Sequence, residues 1–435
     1  MTLAPTPASR PVQDWRVLLA LYFATSVVEA YGISQIFAFM PLYLAELGLS
    51  AAEIARWVGL LGSSVFLLGL PLVPLWGVWA DKYSRKAVIV RSAVVEVFVF
   101  AGVALAQTPW QFAAALLLVG LQLGNTGVML AAIRDVTPRA RLGTAIGIFG
   151  ASSGIGFALG PIVGGLLVSG LGLPLRSIYW SSAALTLGIV ILLVVGSREV
   201  RPERVPTGPV LRLAFGAVSG VFTDRATLRI FALFGLALLA NQMIRPYVPL
   251  LVVGIEGSGA GAAGAIAVVA GVAALVGALV SPIAGGLGDR VGFRAVLAVA
   301  LAVAAVVVAL MPLAAAIPAL AVGNAAIAGC SAATSAMIFG LLAVEVPAER
   351  RSATLNLVYL PLYLAGIVGP ATGAVVAGAG VGAVFAVAAT ALAVAAVAAV
   401  LGIRRRAAAP PRRSEIAAID ATIMELEAET PAELR

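Results

Sequence analysis

Gly77-Val-Trp-Ala-Asp81-Lys82-Tyr-Ser84-Arg85-Lys86 closes one long apolar run, and 208 residues later Gly285-Gly-Leu-Gly-Asp289-Arg290-Val-Gly292-Phe-Arg294 closes another. A second pair recurs at almost the same offset: Pro138-x-x-Arg141 matches Pro347-x-x-Arg350, and Gly160-Pro161 matches Gly369-Pro370, each 209 residues on. Repetition at a fixed offset, each copy placed after an apolar run, marks two copies of one architecture. The expected plan is two halves related by an axis along a membrane normal.

Working outward from the repeat, the environment follows from composition. Of 435 residues, 61% are hydrophobic and 11% charged, with a mean hydropathy of +1.07, whereas soluble domains carry about 25% charged residues. A spanning helix needs about 20 apolar residues, and such runs lie near 17–44, 54–80, 88–107, 110–134, 143–170, 177–197, 230–252, 262–284, 294–313, 317–343, 352–379 and 381–403. The fold expected is an all-α integral membrane protein of twelve transmembrane helices in two pseudo-symmetric six-helix bundles. The first occupies residues 1–197 and the second 230–403. An Arg- and Pro-rich linker at 198–229 joins them, and 404–435 forms a tail. With both termini on one side, 25 of the 28 Lys and Arg fall on that side, leaving Arg56, Arg176 and Arg245. The positive-inside rule therefore predicts cytoplasmic termini in a prokaryotic inner membrane. The first span follows a 16-residue lead and has no small-residue cleavage site after it, so it is expected to stay as a membrane helix. In the tail, SEIAAIDATIMELE has a serine cap and apolar residues at helical spacing, which suggests a short surface helix.

Histidine is absent and Cys330 is the one cysteine. Disulfides, imidazole bases and His or Cys metal sites are excluded, and proton chemistry is left to carboxylates. Both lysines, Lys82 and Lys86, lie outside any phosphate-gripping loop, so neither a nucleotide-driven pump nor any cofactor is indicated. The formal charge of +8 is accounted for by the membrane-side arginines and needs no nucleic-acid partner. Two short motifs are set aside. Gly286-Leu-Gly288-Asp289 resembles a protease signature but has no second intramembrane aspartate. Gly259-Ala-Gly261-Ala-Ala-Gly264 has no acid after it until Asp289.

At Gly77, Asp81, Lys82, Arg85 and Lys86, and at Gly285, Asp289, Arg290, Gly292 and Arg294, the chain resembles the major facilitator superfamily, with Ser84 where that family's loop has a second glycine. The resemblance implies a latch between the halves that stabilises the outward-facing state. Asp135 and Arg141 fit the same family's acidic residue followed by Pro-x-x-Arg. In the fifth span Gly147, Gly156, Gly160, Pro161, Gly164 and Gly165 look like the antiporter motif of drug:proton exchangers of the twelve-span branch. Independently of the resemblance, Gly156, Gly160 and Gly164 recur every four residues, a face on which another helix can pack backbone to backbone. The arginine that family often carries four residues before a fourth-span glycine, associated there with proton transfer, is absent: that spacing gives Leu116 before Gly120, or Gly120 before Gly124.

Ionisable groups in hydrocarbon mark function by default. Glu29 lies mid-way along the first span, followed by Tyr31 and Gln35, and in the family that helix lines the cavity. Its carboxyl, neutral or ionised according to conformation, is the candidate proton carrier and counter-charge for a cationic substrate; a permanently protonated or arginine-paired glutamate is the structural alternative. Arg245, brought level with residue 37 through Pro249 and Pro41, either pairs with Glu29 in one state, meets an anionic group, or snorkels to the rim. Glu96 reads as a structural partner for Arg91. Asn241, Gln242, Gln122, Asn125, Asn356, Tyr359 and Tyr363 are further candidates for the cavity wall, each alone more often a helix-packing hydrogen bond.

The function this predicts is secondary active transport, not catalysis: proton-coupled efflux of an amphipathic, cationic or neutral small molecule by alternating access, in a monomer surrounded by lipid. Its alternatives are a lipid or lysolipid flippase or metabolite exporter of the same fold and, outside that class, a non-transporting receptor.

Overall fold

The structure is a computed structural model describing residues 13–202, 205, 207–214, 225–257, 259–345 and 360–407. Among the described residues, twelve helices are long and apolar enough to cross a membrane: α1 (Trp15–Glu46), α2 (Ala51–Lys82), α3 (Arg85–Leu105), α4 (Pro109–Val136), α5 (Arg139–Gly170), α6 (Arg176–Gly196), α7 (Leu228–Glu256), α8 (Ala260–Val291), α9 (Phe293–Leu313), α10 (Ile317–Leu342), α11 (Pro361–Ala379) and α12 (Val381–Gly402). Their order follows the apolar runs, but several extend past them. Gly77–Lys82 and Gly285–Arg290 form the last turns of α2 and α8 and not loops, because each continues its helix beyond the apolar stretch.

The helix ends are chemically marked. Asp14 caps α1 by accepting from the Arg16 amide at 2.9 Å. Ser50 and Glu53 make a reciprocal box at the start of α2. Ser84, at the family's glycine position, caps α3 by accepting from the Ala87 amide at 3.0 Å.

Within each half, helices approach at glycines. A Cβ at Gly156 would strike the Val27 carbonyl and the Tyr31 amide; one at Gly160 would strike the Tyr31 carbonyl and Ser34; one at Gly164 would enter the Phe39 ring. The fifth-span glycine face therefore docks along α1. The second half repeats the arrangement 209 residues on. Gly369 lies against the Leu239 carbonyl and Met243 amide of α7, and Gly373 lies against Tyr247.

The halves meet on the side away from the termini. There Gly165 packs on Ala263 and Ala267, Gly271 on Ile162, and Gly59 and Gly62 on Pro370. The Ser169 hydroxyl donates to the Ala260 carbonyl. On the terminal side Gly143, Gly147, Gly150 and Gly154 of α5 and Gly285 and Gly286 of α8 face open space. Among the described residues, the halves are thus packed together on one face and parted toward the termini.

Candidate functional site

Between the halves lies a cavity of about 650 Å³ walled by α1, α5, α7, α8, α10 and α11. Its lining is mostly apolar, with Ser34, Ser153, Asn241, Gln242, Asn324, Ser331 and Ser335 as polar contributors. Arg245 is the one charged residue among those lining it. The α7 helix breaks at this point: one segment ends at Ile244 and the next starts at Val248, with proline at residue 249 in its first turn. The guanidinium lies over the Phe37 ring at 4.4 Å and the Phe157 ring at 4.9 Å. Arg245 therefore neither snorkels to the rim nor pairs with Glu29 in this conformation; the two rings hold it in the cavity wall.

Glu29 is absent from that wall. It turns within the first bundle toward α4, where its carboxylate accepts from Gln122 Nε2 and, at 3.0 Å, from Asn125 Nδ2. These two amides flank a break in α4: one helical segment ends at Gln122, Gly124 takes φ +97°, and the next starts at Asn125. Glycine meets that backbone without the strain of a side chain. The Ser92 hydroxyl of α3 donates to the freed Gln122 carbonyl at 2.8 Å, as unwound segments in membranes require.

One turn beyond Ser92, Glu96 is 4% exposed and its Oε1 has no hydrogen-bond partner. The expected Glu96–Arg91 pairing is not made. Arg91 instead stacks on Trp76 at 3.7 Å and donates to the Ser92 hydroxyl at 2.8 Å, because the indole of α2 covers its plane. The first bundle thus holds two intramembrane carboxyls, Glu29 half-buried and Glu96 buried, beside a broken helix.

Tyr31 and Gln35 also face away from the cavity. Tyr31 shares a hydrogen bond with Ser181 at 3.1 Å. Gln35 donates to the Gly160 carbonyl at 3.1 Å and accepts from Ser182, tying α1 to α5 and α6 where the glycine face brings backbones close. Tyr363 of α11 packs across the halves against Phe66, ring centroids 6.0 Å apart. Asn356 and Tyr359 lie outside the described residues, as do Pro347, Arg350 and the tail helix.

Of the expected latch, the described residues show the first-half cluster closed on itself. Arg85, 2% exposed, binds Asp81 at 2.8 Å and Asp135 at 2.7 Å. The Arg85 amide donates to Glu199 at 2.8 Å and the Ser84 hydroxyl donates to the same carboxylate. Lys82 donates to the Gly208 carbonyl, and Lys86 to the carbonyls of Val194 and Ser197. Asp289, Arg290 and Arg141 are exposed, and Arg294 lies beside Gly402 of α12. None of the described ion pairs crosses between the halves; the gap on the terminal side separates them.

The sequence reading missed the α4 break, Glu199, the Arg91–Trp76 stack and the cavity serines and Asn324. Gln-Leu-Gly-Asn at 122–125 carried the one available signal, two amides around a glycine. A twelve-helix bundle in two repeated halves, with a cavity between them and intramembrane ionisable groups, has the plan of a secondary transporter. The model of the Major Facilitator Superfamily matches residues 18–281 and 256–431, and the chain belongs to that family, whose members are transporters rather than enzymes. Among similar proteins is the multidrug resistance protein MdtG of Citrobacter koseri, 31% identical over 66% of this chain and 70% of that one. The MdtG of Yersinia enterocolitica is 31% identical over 67% of this chain and 69% of its own. Among solved structures, a bacterial homologue of the human lysosomal transporter Spinster superposes with TM-score 0.69 at 16% identity, covering 91% of this chain and 96% of that one. The chain is accordingly a multi-pass membrane transporter that groups with multidrug efflux proteins.

Proposed function

We propose that this protein exports amphipathic small molecules from the cytoplasm across the inner membrane, driven by protons moving inward, with both termini in the cytoplasm and the linker at 198–229 joining two bundles that rock against each other. The observation that carries the reading is Glu29, an intramembrane carboxyl held by Gln122 and Asn125 across the α4 break. A proton on this carboxyl turns an acceptor into a donor, so Gln122 or Asn125 must flip or release. Protonation and rearrangement of the α1–α4 contact then become one event. That gives the two-state element which coupling requires. The asymmetry of Lys and Arg supports an open face toward the cytoplasm, where the apolar cavity can take its substrate. The names of the MdtG relatives support a drug-like cargo. Gln122 and Asn125 serve as holders of Glu29, while Asn241, Gln242 and Arg245 contact substrate. Arg85 with Asp81 and Asp135 forms the latch base, to which Asp289, Arg290 and Arg294 would draw near when the open face closes.

The test uses everted vesicles with an acid interior and a pH-sensitive dye, to which amphipathic cations, neutral compounds and anions are added in turn. Proton release on addition of at least one compound, absent from vesicles lacking the protein, is the expected result. No response from any class, with folded protein present, would contradict proton-coupled efflux.

A further inference from the structure

A carboxylate is the strongest counter-charge a cavity can offer a lipophilic cation, and none is among the described residues lining this one. Glu29 faces α4, and Glu96 sits behind it on α3. The charge the wall does carry is positive. Arg245 is fixed between Phe37 and Phe157, and the ion pairs of the described residues do not include it. Two rings supply packing for a flat guanidinium but leave its N–H donors uncompensated by any negative charge. Asn241, four residues earlier on the same helix, and Gln242 add neutral polar groups beside it. The second segment of α7, Val248–Glu256, starts just beyond, so its positive end points into the same region. Half-buried in the cavity wall and without an acidic partner among the described ion pairs, the guanidinium is placed to receive a negative group from an occupant.

We propose that the substrate carries an anionic group, a carboxylate, sulfonate or phosphonate, on an apolar body, and that Arg245 receives it. This rests on the reading of the chain as an exporter of amphipathic molecules and narrows its cargo. It also replaces the cationic preference expected from Glu29, since that carboxyl does not face the cavity. In this arrangement the anion takes two N–H donors from the fork of Arg245, the apolar body lies along the alanine- and valine-rich wall of α8, and the Phe rings hold the fork in register. Arg245 binds substrate directly and is a specificity-determining residue.

The test uses three naphthalene probes that differ only in head group: the 2-sulfonate, the 2-sulfonamide and the 2-methyltrimethylammonium. Each is titrated calorimetrically into purified full-length protein and then assayed for flux in proteoliposomes. Wild type should bind the sulfonate about tenfold more tightly than the ammonium. Arg245→Gln should lower sulfonate affinity about tenfold more than sulfonamide affinity, and Arg245→Lys should keep most of the preference for the anion. Equal or tighter binding of the ammonium would overturn the proposal, as would a sulfonate preference that survives in Arg245→Gln. If the sulfonamide or the ammonium is carried without preference for the anion, the anionic site is wrong and the export of amphiphiles stands. If no probe binds or moves, with the protein eluting as a folded monodisperse species, both readings fall.

Discussion

In the proposed mechanism, Glu29 and Arg245 separate two tasks that a smaller cavity would force together. The acid is enclosed by amides in the first bundle, and the base faces the space between the bundles. Removing one holder isolates the first task. Gln122→Ala deletes a donor to Glu29, leaving one carboxylate oxygen unsatisfied at a cost of about 1–3 kcal/mol. The expected outcome is a lower ratio of protons moved per substrate in a paired flux assay, with normal protein yield; an unchanged ratio would mean that Gln122 does not hold the coupling group. Arg85 tests the latch base. It is 2% exposed and bound to two carboxylates. Arg85→Ala should lower stability by on the order of 3 kcal/mol, toward the low end of buried-pair losses because Asp81 is 41% exposed. Thermal unfolding in detergent measures this, and Arg85→Lys should recover part of the loss.

At the scale of single helices, the fifth-span glycines divide sharply by environment. Gly160 sits where any Cβ would collide with the α1 backbone, and Gly147 faces open space. Gly160→Val should abolish transport and reduce membrane-inserted protein, whereas Gly147→Ala should leave both near wild type in drug-efflux and western-blot assays. A tolerated Gly160→Val would contradict the close approach. The helices themselves were legible in the sequence because a 20-residue apolar run has few alternatives in lipid. The Gly156, Gly160 and Gly164 face was legible too, since spacing four places the three on one stripe. The break in α4 was not legible. Gly120 and Gly124 read equally well as small-residue packing, and only φ +97° at Gly124 distinguishes the two. For the same reason Glu29 could be placed in the membrane but not aimed: a carboxyl on α1 turns to the cavity or to α4 according to which neighbour presents donors. The pairing assigned to Arg91 and Glu96 failed because Trp76, far off in sequence, competes for the arginine through its ring face.

For the whole molecule, one face is sealed by α5 against α8 and α2 against α11, and the other is parted. Ser169 Cβ lies 3.4 Å from where a Cβ on Gly264 would stand, close to the separation that a disulfide needs. In a background with Cys330 replaced by Ser, the Ser169→Cys and Gly264→Cys pair should cross-link on mild oxidation, stop transport, and regain it on reduction. A pair that cross-links while transport continues would show that this face need not open. The second half was legible as a repeat of the first through Gly369-Pro370 and the Asp289 motif. The conformation was not, because the same contacts serve either open state until one face is seen closed.

The central claim is that inward proton movement through Glu29 drives export, and its most direct test is a pH jump across proteoliposomes holding wild-type or Glu29→Gln protein in equal folded amounts. The anionic naphthalene probe, or any compound that responds in the vesicle screen, is followed as it accumulates against its gradient. Wild type should accumulate it when the pH jump is applied and stop when the gradient is collapsed with a protonophore, while Glu29→Gln accumulates none. Uphill accumulation by Glu29→Gln at the wild-type rate would contradict the account.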